Sequence, residues 1–153
     1  MPTIHPGQIL LSTPLLNNTV FEQTTIFICE ANSNGAMGFI INKPSYKSLN
    51  ELVEFRNLPY FALHNGGPMQ TDKLYFIHKQ PSIIHGGIPI INQIYLGGNF
   101  DLAIKNINNK TILKSDIKIC IGYCGWDTGE LEAEIEEGCW SILENDNSVN
   151  VFM

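Results

Sequence analysis

Arginine is almost missing from this chain: Arg56 stands alone, and with the lysines it makes 9 basic residues against 15 acidic ones, a net charge of −6. Nucleic acids are held mainly through phosphate contacts from Lys and Arg, so a DNA or RNA surface would need a local basic patch working against the net field. None is visible. The densest run, Lys105 to Lys118, dilutes its lysines with asparagines and balances them with Asp116, which describes a solvated surface. Nucleic acid is therefore not an expected partner.

Long apolar runs are also lacking. The longest are about five residues, such as Ile117 to Ile121 interrupted by Lys118, against the roughly 20 that a membrane helix needs. Pro2, Pro6 and Pro14 break up a start that has neither a basic region nor a long apolar stretch, so no secretory signal and no membrane association are expected. Charged residues make up 16% of the chain, below the usual quarter, and Asn, Ser, Thr and Gln must supply much of the water-facing surface.

Cysteine is scarce and scattered: Cys29, Cys120, Cys124 and Cys139 lie inside apolar or regular patterns. That usage predicts free thiols in a reducing compartment and a cytoplasmic protein. Cys120 and Cys124, four apart on one strand, would sit about 13 Å apart, too far for a disulfide. With no CxxC and no matching histidine pair, no metal site is expected.

What is present is a core. A chain of 153 residues with 44% hydrophobic content suits a single domain over residues 1–153. The pattern is mostly strands punctuated by about three short helices, an α+β class. Strands are predicted over Gln8–Ser12, Thr24–Glu30, Met37–Asn42, Tyr60–Leu63, Lys73–His78 and, in extended form, Ile90–Leu96. The second and third should form a hairpin across Asn32-Ser33-Asn34-Gly35, with Asn34-Gly35 offering the positive φ angles of a tight turn. Ile26, Phe27, Ile28 and Cys29 leave neither face polar, so that strand should be covered on both sides.

Ser48 and Glu51 have the form of a capping box ahead of Leu49, Leu52, Val53 and Phe55, predicting a helix to about Arg56. Asn99 should cap a second helix, Phe100 to about Asn106, with Phe100, Ala103, Ile104 and Ile107 at helical spacing. Ile117, Ile119, Ile121 and Tyr123 alternate with Lys118, Cys120, Gly122 and Cys124 and predict a buried strand running directly into a turn at Gly125-Trp126. An acidic helix follows, starting near Asp127 or Thr128, with Leu131 and Ile135 inward and Gly138 as its stop. Trp140–Leu143 and Val149–Phe152 should return as edge strands around the loop Glu144–Ser148. There are no internal repeats.

Four of these segments together resemble the AlgH-like (YqgE-like) family of bacterial proteins. They are Gly7-Gln8-Ile9-Leu10-Leu11 with Thr13-Pro14; Cys29-Glu30 through Gly35-Ala36-Met37-Gly38 to Asn42-Lys43-Pro44; Gly66-Gly67-Pro68-Met69-Gln70; and Gly122-Tyr123-Cys124-Gly125-Trp126 to Gly129-Glu130-Leu131-Glu132. The match covers almost the whole chain. It implies one α+β domain with a mixed, mostly antiparallel sheet rolled towards a barrel and flanked by helices. It implies no biochemical activity, since the family has none established; its name comes from a proposed role in regulating alginate synthesis. The sequence departs from the family pattern at Gln23, where arginine is typical, at Asn17-Asn18, where Asp-Pro is common, and at Cys124, where alanine is frequent.

Gly122, Gly125 and Gly129, between a strand and a helix start, invite an anion site. Their spacing is neither GxGxxG nor GxxxxGK[ST], and the glutamates inside the helix would repel a phosphate. A tight turn with Trp126 packed over it is the simpler reading. Glu130 and Glu134 share a helix face and suit acid–base or hard-metal chemistry only with a nearby His or Asp; a solvated acidic face, or docking to a basic partner, needs no such help. Cys124 as a nucleophile would need His64, His78 or His85 beside it. No catalytic constellation is complete and no cofactor is implied, which leans the reading away from an enzyme. Two functions remain open. One is a binding or regulatory module whose protein partner contacts the acidic helix and the glycine turns. The other is a small-molecule or nucleotide-binding protein with a pocket between Gly66-Gly67-Pro68 and the turn at Gly122, Tyr123, Gly125 and Trp126.

Overall fold

The β-branched and aromatic runs become strands, and β9 ties them together. The computed structural model, which describes residues 3–143 and 150–153, contains β1 (Ile9–Ser12), β2 (Thr25–Asn32), β3 (Gly35–Ile40), β4 (Pro44–Ser48), β5 (Ala62–Asn65), β6 (Met69–His78), β7 (Ile88–Ile91), β8 (Ile94–Leu96), β9 (Ile117–Asp127) and β10 (Trp140–Leu143), with two α-helices, α1 (Phe100–Asn108) and α2 (Glu130–Glu136). The sheet runs β10-β1-β2-β3-β9-β6-β8-β7, and the β4–β5 pair branches onto β9. Among the described residues only β5 and β9 are parallel; the other pairs are antiparallel. The sheet is therefore mixed and mostly antiparallel, as expected, but it stays open: β10 and β7 end the path, and the described strands close no barrel.

Three apolar clusters divide the core. One gathers Phe27, Cys29, Phe39, Ile77 and Cys120, a second packs Leu63, Phe76, Ile117 and Ile119 under Ala103 and Ile107 of α1, and a third joins Ile26, Ile28, Cys124, Trp126 and Trp140 to Leu131 of α2. Strand β2 feeds the first and third clusters with alternate residues, so its two-sided burial follows from its position inside the sheet. In α1, the Asn99 Oδ1 accepts from the Leu102 amide at 3.0 Å, and Phe100, Ala103, Ile104 and Ile107 face the second cluster, as their spacing requires.

The predicted helix from Leu49 to Arg56 is not one. Two 3₁₀ turns, Leu49–Glu51 and Val53–Phe55, are separated by an extended Leu52 at φ −79° and ψ 138°. The cap itself is real, with the Glu51 carboxylate accepting from the Ser48 amide at 2.6 Å. Leu49, Leu52 and Phe55 all meet the second cluster, a spacing of three that suits a 3₁₀ path better than an α-helical stripe, while Val53 is left 76% exposed. The described α-helices thus number two.

Ile90–Leu96 also differs, forming parts of β7 and β8 joined by Asn92 and Gln93 at φ 48° and 65°, the pair of left-handed residues that a type I′ hairpin demands. No glycine announces it. In the β2–β3 hairpin the tight turn is Ser33-Asn34, held by the Asn32 Oδ1 accepting from the Asn34 amide at 2.8 Å; Asn34 is not left-handed, and the positive φ falls on Gly35 alone. Of the two predicted returning strands, Trp140–Leu143 pairs with β1. Val149 and the loop Glu144–Ser148 lie outside the described residues, and 150–153 forms a turn instead of a strand, with the Met153 amide on the Asn150 carbonyl at 3.3 Å. Val151 and Phe152 fill the edge of the first cluster. Lys118, 1% exposed, reaches this turn: its ammonium donates to the Ile41 carbonyl at 2.7 Å and the Met153 carbonyl at 2.9 Å. Burial lowers its pKa from 10.5.

Candidate functional site

The predicted glycine turn is strand. Strand β9 continues to Asp127 and pairs Cys124, Gly125, Trp126 and Asp127 with Gly38, Met37, Ala36 and Gly35 of β3. Gly122, at φ 72°, stands alone between Ile121 and Tyr123 opposite a bulge in β6, where Gln70 to Lys73 come between their partners Leu74 and Met69. The alternation of β9 resets there: Ile119 and Ile121 face the second cluster, whereas Tyr123 joins Cys120 on the first. Extra residues of this kind bend a strand and re-aim its side chains. The chain turns at Thr128-Gly129, and α2 starts at Glu130 with left-handed Gly129 before it, so the expected start at Asp127 or Thr128 comes too early. Gly138 does stop the helix, in a Schellman arrangement with the Cys139 amide on the Glu134 carbonyl at 2.9 Å and its own amide on Ile135 at 3.0 Å.

Gly66 and Gly67 meet β9 at this point. The Gly66 amide donates to the Ile121 carbonyl at 2.9 Å while its carbonyl accepts from Ile40 at 2.8 Å, filling the fork where β3 and β5 part along β9. A Cβ on Gly66 would stand 2.7 Å from the Cys120 Cβ, and one on Gly67 would strike the Tyr123 carbonyl. The two glycine segments therefore converge on each other, backbone against backbone, and leave no space between them.

The open space lies beside them. A groove of about 630 Å³ follows the sheet face past the end of the first cluster. Its floor is two rows of paired residues across three strands: Glu30, Met37 and Gly125 in one, Asn32, Gly35 and Asp127 in the other. Tyr75 and Tyr123 form its inner wall, their rings 5.3 Å apart and nearly perpendicular, and the Tyr75 hydroxyl donates to the Gln70 Oε1 at 2.7 Å. Met69 and Glu130 complete the rim, and among the described residues no lysine, arginine or histidine lines it.

Of the residues singled out from sequence, Tyr123, Gly125, Trp126 and Glu130 line this groove. Gly67 and Pro68 instead border an apolar depression of about 460 Å³ with Val20, Ile40 and Lys43, and Gly66, Gly122, Gly129 and Glu134 border neither. The Glu134 carboxylate is engaged elsewhere, with Oε1 accepting from the indole nitrogens of Trp126 at 3.1 Å and Trp140 at 2.9 Å. Glu134 is thus turned to the two tryptophans, whereas Glu130 lines the groove. Glu30, Met37, Met69, Tyr75 and Asp127 were missed, because they come together only when β2, β3, β6 and β9 are aligned.

Among the described residues no histidine is hydrogen-bonded to Cys124. Its thiol is buried, donates to the Gly66 carbonyl at 3.5 Å, and is pushed up to about 12 by burial. His78 contacts the Gly97 carbonyl through Nε2 at 2.9 Å and accepts from the Gln80 amide at Nδ1 at 3.1 Å, so its tautomer is set by the backbone. His85 contacts Ser82. Among the described residues no three His, Cys, Asp or Glu are placed to hold a metal ion. Gln23, the departure from the family arginine, is left-handed at φ 51° and offers its carbonyl to the Asn42 side chain at 3.0 Å, away from the groove.

His64 sits opposite Cys120 across β5 and β9, with a buried Nδ1 that has no hydrogen-bond partner. Burial, then the charge of Lys118, lower its pKa from 6.5 to about 4. A base depressed in the folded state contributes stability that is complete above the unfolded pKa and is lost as pH falls through the folded one. Urea unfolding should therefore show a loss between pH 6.5 and about 4, and His64→Leu should flatten it by about 1 kcal/mol, a figure discounted because the ring is only half-buried. Parallel pH profiles of the two proteins would refute the assignment.

A family model described as DUF179, AlgH-like, matches residues 9–152. The chain belongs to the AlgH-like family. A UPF0301 protein of Chlorobium limicola is 38% identical over 138 residues, covering 90% of this chain and 73% of the relative; one of Bacteroides fragilis is 37% identical over 143 residues, covering 93% and 72%. The solution structure of the AlgH protein from Pseudomonas aeruginosa superposes with a TM-score of 0.77 at 28% identity, over 99% of this chain and 85% of that one. A crystal structure of protein DIP2367 from Corynebacterium diphtheriae gives 0.74 at 19% identity, covering 99% and 85%, a likeness of fold alone. The resemblance read from four segments is thus a family membership, in a family to which no specific activity is attached. No helix among the described residues is long and apolar enough to cross a membrane.

Proposed function

We propose that this AlgH-like protein is a non-enzymatic binding or regulatory module acting in the cytoplasm, and that its partner occupies the groove between the β2–β3 hairpin, the start of β6 and the end of β9. The observation that carries this reading is the groove itself: Met37 in its floor and Tyr75 and Tyr123 in its wall present an apolar surface among polar groups, in a space within the size range of ligand sites. The chemistry around it supports binding over turnover. The Cys124 thiol is held un-ionised by burial, Glu134 is committed to two indoles, and no described histidine reaches the groove. Four unpaired cysteines suit a reducing compartment. The alternative, a small-molecule pocket between the Gly66-Gly67 and Gly125-Trp126 segments, has weaker support, since Gly66 and Gly67 pack directly on β9.

Methionine provides the test, because two of the four, Met37 and Met69, line the groove and Met153 does not. Methyl-labelled protein titrated with a panel of peptides, nucleotides and metabolites should show saturable shifts at Met37 and Met69 only. Gly125→Leu, which places a side chain in the trough, should weaken those responses at least tenfold. Shifts confined to other sites, or none across the panel, would remove the groove as the binding surface.

A further inference from the structure

We infer that the occupant of the groove is a protein segment bearing lysine or arginine side chains, laid across the two side-chain rows; this rests on the binding-module reading above. Three carboxylates border the groove from three different elements, Glu30 on β2, Asp127 at the end of β9 and Glu130 at the start of α2, and no described basic residue lines it. Acidic residues alone would describe any solvated face. Here they flank an uncovered apolar surface: Met69 on the rim is 45% exposed, and Met37, Tyr75 and Tyr123 continue it inward to the first cluster. Lysine and arginine carry both halves of the complement, an aliphatic stem for the floor and a charged head for the rim, and aromatic ring faces attract the same cations.

The distribution of the charge argues against a metal ion. No three acidic, histidine or cysteine side chains among the described residues converge on one point, so the field is spread along the groove and suits several cationic groups on one chain. Neutral groups on the lining suit a backbone. The carboxamide oxygen of Asn32 is taken by the Asn34 amide and that of Gln70 by the Tyr75 hydroxyl, which leaves their NH₂ groups as donors for carbonyls of a bound segment. Gly35 keeps the middle of one row low, and Gly125 the β9 end of the other. At Gly125 a Cβ would meet only the Tyr123 ring, at 3.1 Å, so a side chain can be added there without disturbing the backbone.

Fluorescence anisotropy with a labelled ten-residue peptide of alternating Lys and Ala tests the inference, beside a Glu–Ala peptide and free spermine. The Lys–Ala peptide should bind saturably and more weakly as salt rises, and the Glu–Ala peptide should not bind. Glu30→Gln with Asp127→Asn and Glu130→Gln should weaken binding at least tenfold. The same charge removed elsewhere, by Glu54→Gln, Asp101→Asn and Glu137→Gln, should change it less than twofold. Gly125→Leu, or Gly125→Ser if the larger side chain impairs folding, should also weaken it while keeping every charge. Equal losses from the two triple variants would show a general charge effect and overturn the inference. Sensitivity to the Gly125 variants without sensitivity to the groove carboxylates would overturn the cationic occupant and leave the groove reading standing; insensitivity to both would overturn the two together. Spermine competing at the peptide's own concentration would replace a protein segment with a free polyamine.

Discussion

Gly122→Ala should cost about 2–5 kcal/mol, a large part of the roughly 5–15 kcal/mol that holds a typical domain together. Two terms add. At φ 72° a residue with a Cβ carries about 1–2 kcal/mol of strain. The Cβ would also collide with the Gly67 carbonyl and lie 2.8 Å from that of Met69, and forcing atoms into filled space costs roughly 1–3 kcal/mol more. Neither carbonyl belongs to a side chain that could swing away. Urea unfolding should show the midpoint lowered by at least about 1 M for a slope near 2 kcal/mol/M. Gly129→Ala is the comparison, because Gly129 is left-handed too, at φ 77°, with nothing within 4 Å of its added Cβ, and should lose only the strain term. Equal losses at both positions would mean that the approach of the two backbones contributes nothing.

The second large effect is expected at Glu134. Removing its carboxylate with Glu134→Ala leaves the indole N–H groups of Trp126 and Trp140, residues 7% and 3% exposed, without their shared acceptor. Hydrogen bonds to a charged group contribute about 1.5–3 kcal/mol each, and a buried donor left alone loses more than the bond. Partial exposure of Glu134 moderates the sum to about 3 kcal/mol. Glu134→Gln keeps an oxygen in the same place and should cost about 1 kcal/mol. These are the only two tryptophans in the chain, set edge to face at 6.2 Å, so intrinsic tryptophan fluorescence reports on this site alone. If Ala and Gln prove equally mild, the carboxylate is a bystander.

Much of the fold was legible because local chemistry and global position agreed. Asn99 caps α1 and its apolar residues recur at helical spacing; Ile26 to Cys29 are apolar on both faces and the strand is covered on both. The reading failed where a choice was made by distant contacts. Leu49, Leu52 and Phe55 satisfy the second cluster through 3₁₀ turns, which a capping box cannot distinguish from an α-helix. Asn92 and Gln93 adopt left-handed angles that sequence rules reserve mainly for glycine. Gly125 and Trp126, read as a turn, continue β9 along β3, and Gly122 lies within that strand opposite the extra residues of β6. The groove was half legible: Tyr123, Gly125, Trp126 and Glu130 lie in one stretch rich in glycine and acid, whereas Glu30, Met37, Met69 and Tyr75 owe their meeting to strand pairing between segments far apart in the chain.

That pairing has a consequence for when the surface exists. Gly35 pairs with Asp127 and Met37 with Gly125, so the groove's floor is assembled from the first quarter of the chain and the last. During synthesis no surface of this kind can form until β9 has emerged and closed a loop of some ninety residues, an entropic step that local turns do not assist. Whatever occupies the groove therefore recognises only the finished molecule, and its binding free energy adds to the stability of the whole fold and not of one hairpin.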